Sequence, residues 1–90
     1  MPHYYFDHWF GREHIVDEEG GDHPDLDAAR REAVRGARCI MSSEAKAGRL
    51  RLDQHFALRD ADGSTVAEIF FDEAIEIVPP GEHARKRRSG

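Results

Sequence analysis

Alternation with a period of two runs through the first aromatic stretch, His3-Tyr4-Tyr5-Phe6-Asp7-His8-Trp9-Phe10, and predicts a strand. Tyr4, Phe6, His8 and Phe10 fall on one face; His3, Tyr5, Asp7 and Trp9 fall on the other. The first set is the candidate core side. Gly11-Arg12 allow a tight turn, and residues 13–16 return as a short antiparallel strand. A two-residue turn sets His8 opposite Ile15 and Trp9 opposite His14. Residues 17–24 are acidic and glycine-rich and read as a loop.

The period then changes to three and four. Leu26, Ala29, Ala33, Ala37, Ile40 and Met41 form one stripe of an amphipathic helix, with Asp25 as its N-cap and Gly48 just past its end. That is roughly 20 residues, or about 30 Å. The small residues Ala29, Ala33 and Ala37 let the helix axis approach a sheet closely. Arg30, Arg31, Arg35 and Arg38 fall mostly off the stripe, and Asp27 is placed to pair with Arg31 at i,i+4.

Alternation returns in residues 49–59. Leu50, Leu52, Phe56 and Leu58 share one face, and Arg51, Asp53, His55 and Arg59 share the other. Gln54 on the apolar face points to a bend or bulge. Asp60-Ala61-Asp62-Gly63 is a turn, residues 65–71 form the returning strand, and residues 72–78 are expected to tuck Ile75 or Ile77 beneath the sheet in a short helical turn. The order β-β-α-β-β predicts an α+β fold: an antiparallel four-stranded sheet with one long helix packed on one face. Residues 1–80 are expected to form a single domain and residues 81–90 a disordered basic tail.

Composition narrows the picture. Ninety residues, 39% apolar and 34% charged, suit one small core. No apolar run approaches the roughly 18 residues of a membrane helix. The first ten residues lack the basic and apolar regions of a secretory signal, so a cytoplasmic location is expected. Cys39 is a single cysteine, which excludes an intramolecular disulfide framework and a cysteine-rich zinc site. The net charge of −5 is unevenly placed: residues 1–82 hold 9 basic and 18 acidic side chains, and the run Arg85-Lys86-Arg87-Arg88 holds the other four basic ones. An acidic body repels a phosphate backbone, so nucleic acid is expected only through that tail, if at all.

Several pieces in order resemble a family of short bacterial proteins classed as a domain of unknown function and most familiar from alphaproteobacteria. They are Met1-Pro2 with Tyr4-Tyr5-Phe6-Asp7, the Asp17-Glu18-Glu19-Gly20 loop, Ala29-Arg30-Arg31-Glu32-Ala33 after Leu26, the Arg59-Asp60-Ala61-Asp62-Gly63 turn and Phe71-Asp72-Glu73-Ala74-Ile75. The resemblance covers about residues 1–78. This chain departs from it in the aromatic His8-Trp9-Phe10 and in the Arg85–Arg88 tail. The resemblance implies no activity, cofactor or catalytic residue.

Candidate chemistry is sparse. The six histidines (His3, His8, His14, His23, His55 and His83) show no helical H-x-x-x-H and no cysteine pair, so surface histidines are expected rather than a metal site. Asp60-x-Asp62-Gly63 has its glycine at the fourth position of a would-be calcium loop, not the sixth, and Phe71 at the twelfth. Ser42, Ser43 and Ser64 lack a nucleophile-elbow context, Cys39 has no evident base, and Gly20-Gly21 sit among carboxylates that repel phosphate. No enzyme, cofactor or metal is expected. The expected surface is the sheet face away from the helix, with Tyr5, Trp9, Val16 and Phe70 as an aromatic patch for a protein partner or a second copy. The alternatives are a nucleic-acid-associated protein acting through Arg85, Lys86, Arg87 and Arg88, and a metal- or small-ligand-responsive regulator.

Overall fold

A computed structural model describes residues 1–81. Strand β1, His3–Phe10, lies inside an antiparallel sheet, between β2, Glu13–Ile15, and β4, Gln54–Arg59. Strand β5, Thr65–Phe70, pairs with β4 at the far edge. Between β2 and β4 come the two-residue strand β3, Gly21–Asp22, and the helix α1, Leu26–Lys46. The architecture is α+β in the order read from the sequence, with one addition: β3 pairs His3 with Asp22 and Tyr4 with Gly21, extending the sheet beside the start of β1. A glycine-rich acidic stretch carries no strand signal of its own. It pairs because Gly20, at φ 63°, turns it tightly against β1, where a Cβ would meet the Tyr4 carbonyl oxygen at 2.5 Å.

The first hairpin has the foreseen register, with His8 opposite Ile15 and Trp9 opposite His14. The third apolar segment differs from expectation. Only Gln54–Arg59 is strand, and Leu50 and Leu52 are exposed. The cause is its partner: β1 ends at Phe10, opposite Gln54, and the chain then turns at Gly11, so residues 49–53 have no neighbouring strand to join. Gln54 stays in register. The irregularity falls instead between Leu58 and Arg59, where Leu58 faces Ala67 and Arg59 faces Thr65, leaving Val66 over.

Asp25 caps α1 as read, its Oδ1 accepting from the Ala28 N–H at 2.8 Å. Gly48, at φ 91°, follows the last turn. Asp27 and Arg31 form no ion pair; Glu32 and Arg35 pair instead at 2.7 Å. The stripe Ala29, Ala33, Ala37 and Met41 is buried. It packs over β4, β5 and the 3-10 turn Phe71–Glu73, and the core gathers Tyr4, Phe56, Leu58, Ala67, Phe71 and Ala74 around it. Ile75 packs against this core, whereas Ile77 is exposed. No helix among the described residues is long and apolar enough to cross a membrane.

Candidate functional site

The helix covers one face of the sheet, and among the described residues the other face is left to its own side chains. Each of the four long-sheet strands gives one ring to a row across that uncovered face. His14 from β2 lies stacked on Trp9 from β1, centroids 3.9 Å apart and planes 8° apart. His55 from β4 lies nearly parallel to Trp9 on its other side at 6.0 Å, and Phe70 from β5 follows His55 at 4.9 Å. The row follows from register, since Trp9 faces both His14 and His55, and His55 faces Phe70. Trp9 is half-buried by its imidazole neighbours, and Phe70 is 40% exposed at the end of the row.

Beside the row stands a polar knot. Asp7 is only 4% exposed although no helix covers it. Its Oδ2 accepts from Arg59 Nε at 2.6 Å, and its Oδ1 accepts from Arg59 Nη2 and from the Asp17 N–H. His14 Nε2 lies 3.6 Å from the same carboxylate. Asp17 in turn accepts from the N–H groups of Phe6, Glu19 and Gly20, so one carboxylate shapes the whole loop. Burial pushes both carboxyls up. The Arg59 guanidinium and the Asp17 N–H at Asp7, and the three backbone N–H groups at Asp17, outweigh it and hold both below the ordinary aspartate value.

The four residues expected to form one patch are separated. Trp9 and Phe70 are joined through His55. Tyr5 sits four residues from Trp9 along β1, with the Arg59 guanidinium 4.8 Å over its ring and the Asp7 knot between. Val16 instead lines a cavity of about 410 Å³ with Phe6, His8 and Ile15, beside Asp17, Glu18 and Glu19. The sequence reading missed His14 and His55 as members of the row. The position of His14 opposite Trp9 in the hairpin was the available signal; His55 reaches Trp9 only through the register of β1 with β4. It also missed Arg59 as the partner of Asp7, two residues 52 positions apart whose pairing depends on the register of β1 with β4.

The remaining histidines have separate tasks. His3 Nδ1 is 2.6 Å from Asp22 Oδ1 and His3 Nε2 is 2.7 Å from the Glu19 carbonyl oxygen. Two oxygen acceptors favour a proton on each nitrogen, and the Asp22 bond, then the Glu19 bond, raise the His3 pKa above its ordinary 6.5. His8 Nε2 meets Gln54 Oε1 at 2.9 Å, while Gln54 Nε2 donates to the Glu44 carboxylate and to the Arg51 carbonyl. That chain satisfies a glutamine that is 3% exposed. Among the described residues no three His, Cys, Asp or Glu side chains gather around a common metal position. The Asp60 carboxylate accepts from the N–H groups of Asp62 and Ser64, tying its turn internally. Cys39 is exposed on α1. His83 and the basic run Arg85, Lys86, Arg87 and Arg88 lie outside the described residues.

Comparison with curated proteins and with solved structures gives no match. A family comparison matches residues 3–72, a span that holds all the strands of the described residues, α1, the ring row and the Asp7 knot. The chain therefore belongs to the family described as Domain of unknown function (DUF6894).

Proposed function

We propose that this chain is a non-catalytic protein-interaction module that joins a second copy of itself through the uncovered face of the sheet. The observation that carries the reading is the row His14–Trp9–His55–Phe70, four rings in cross-strand register on a face that no element among the described residues covers. The apolar rings of the row, Trp9 and Phe70, are most stable when a second layer excludes water from them, and the two imidazoles keep N–H groups for a partner. A twofold axis between Trp9 and His55 reverses the row. His14 of one copy then meets the Phe70 end of the other, where the Glu68 carboxylate of β5 offers an acceptor to the imidazole N–H. The same axis sets flat, rigid rings at the centre of the contact, the residue types that contribute most at interfaces.

Light scattering after size exclusion tests this at about 100 μM protein. The wild-type chain is expected at twice its monomer mass, and Phe70→Ser, which changes only the exposed end of the row, is expected at monomer mass with unchanged helical circular dichroism. A wild-type monomer at that concentration overturns the reading, as does a dimer that Phe70→Ser and Trp9→Ser both leave intact.

A further inference from the structure

A second surface, which meets the ring row only at Phe70, lies at the β5 edge. Strand β5 pairs with β4 on one side and, among the described residues, with no strand on the other. Its six residues therefore present an open ladder of backbone donors and acceptors about 20 Å long. The flank of α1 rises directly beside this edge. A cavity of about 180 Å³ joins Arg30 and Val34 of α1 to Ile69 and Ala74, and a shallow one of about 420 Å³ continues from Arg30 and Val34 over Arg31, Arg35 and Arg38. Together they make one trough with an apolar floor and an arginine wall.

Arg35 is engaged by Glu32, whereas Arg38 donates only through Nε, to the Ala74 carbonyl at 2.7 Å, and keeps both Nη groups for another acceptor. Arg30 and Arg31 have no ion-pair partner among the described residues. Glu68 and Glu73 stand on the strand side of the trough. Glu68 leans to the other face of the sheet, 3.8 Å from His55, so Glu73 is the acid that opposes the wall; acids of the body farther away than about 10 Å are screened at 0.1 M salt.

We propose that this edge captures an extended acidic segment of another protein, which adds to β5 as a further antiparallel or parallel strand and lays its inward side chains against the arginine wall. The spacing fits. Arg30, Val34 and Arg38 recur about every 6 Å along the helix, and alternate residues of a strand recur about every 6.6 Å. A segment reading acidic–any–apolar–any–acidic then meets Arg30, Val34 and Arg38 in turn. A second copy is the poorer occupant, because twofold pairing of β5 with β5 brings the two arginine walls together. Nucleic acid offers phosphates but none of the amide groups that would extend the ladder.

The test is fluorescence anisotropy with the full chain and a labelled ten-residue peptide of the Glu-Thr-Val-Thr-Glu pattern at about 100 mM salt, where the distant acidic charges are screened and close contacts are not. Saturable binding is expected. Arg30→Glu with Arg31→Glu, both on the solvent side of α1, is expected to weaken it at least tenfold with helical circular dichroism retained; Arg31→Ser gives a milder loss should the double variant unfold. N-methylating alternate peptide amides on the edge that pairs, found by trying both phases, is expected to weaken binding at least tenfold with the protein untouched. No binding at about 100 μM overturns the proposal. So does equal binding by both N-methylated phases, by a scrambled peptide of the same charge, or by single-stranded DNA of the same charge.

Discussion

On the helix side of the sheet Leu58 and Phe71 are fully buried among apolar neighbours, whereas on the other side Asp7 is buried almost as deeply with a carboxylate at its tip. The helix side excludes water by layering: three alanines bring α1 close, and large side chains of β4 and the 3-10 turn fill the gap. The far side has no layer among the described residues. It keeps water out locally, by stacking rings on one another and by saturating one carboxylate with a guanidinium and a backbone N–H. Burial on the first side is non-directional and tolerates a change of shape better than a change of volume. On the second side it is directional, and a change of one atom matters.

The largest expected effect falls on the layered side. Phe71→Ala should cost about 3–5 kcal/mol, because the ring has no solvent route to collapse into, and urea unfolding would measure it. Asp7→Asn keeps the shape and removes the charge, leaving Arg59 partly buried and unpaired; a loss of about 3 kcal/mol is expected. Adding Arg59→Met should then cost less than it does alone. If the two losses simply add, the knot is not a unit and the contrast between the faces fails.

Acid separates the faces without mutation. Asp7 and Asp17 have folded values below their unfolded ones, so their contribution is complete above about pH 4 and disappears as pH falls through the lower folded values. Urea midpoints should drop as pH falls below about 4 in the wild type and change less in Asp7→Asn. Truncating His14 to Ala removes the tightest stack on Trp9 and is expected to cost about 1 kcal/mol, with a blue-to-red change in indole fluorescence as one ring face meets water. The smallest effect concerns His3. Its folded pKa is raised, so its bonds to Asp22 and Glu19 are complete below about pH 6.5 and weaken as pH rises through the higher folded value. Amide exchange at Gly21 and Asp22 should speed up across that range while β4 amides remain protected.

Much of the frame is legible in the chain because periodicity is a local property. The period of two in residues 3–10 gives β1 and both of its faces, and Asp25 with the alanine stripe gives α1 and its buried side. The same local reading extends the third segment too far, since Leu50 and Leu52 alternate as well as Phe56 and Leu58 do. Only the length of β1 decides that the first pair has no neighbouring strand. Likewise β3 exists because β1 lies within reach of a turn at Gly20, not because Gly-Asp favours a strand.

For the surface, alternation alone assigns Tyr5 and Trp9 to the face away from the helix, and composition marks that face as aromatic. Tertiary structure decides what they touch. Register across three strand pairs brings His14, Trp9, His55 and Phe70 into one row, joins Asp7 to Arg59 across 52 residues, and sends Val16 to a cavity with Phe6 and His8. The physical reason is range. Side-chain direction is fixed by the dihedrals of a few residues, whereas the identity of a neighbour is fixed by which strands meet, a choice made by the burial of the whole core.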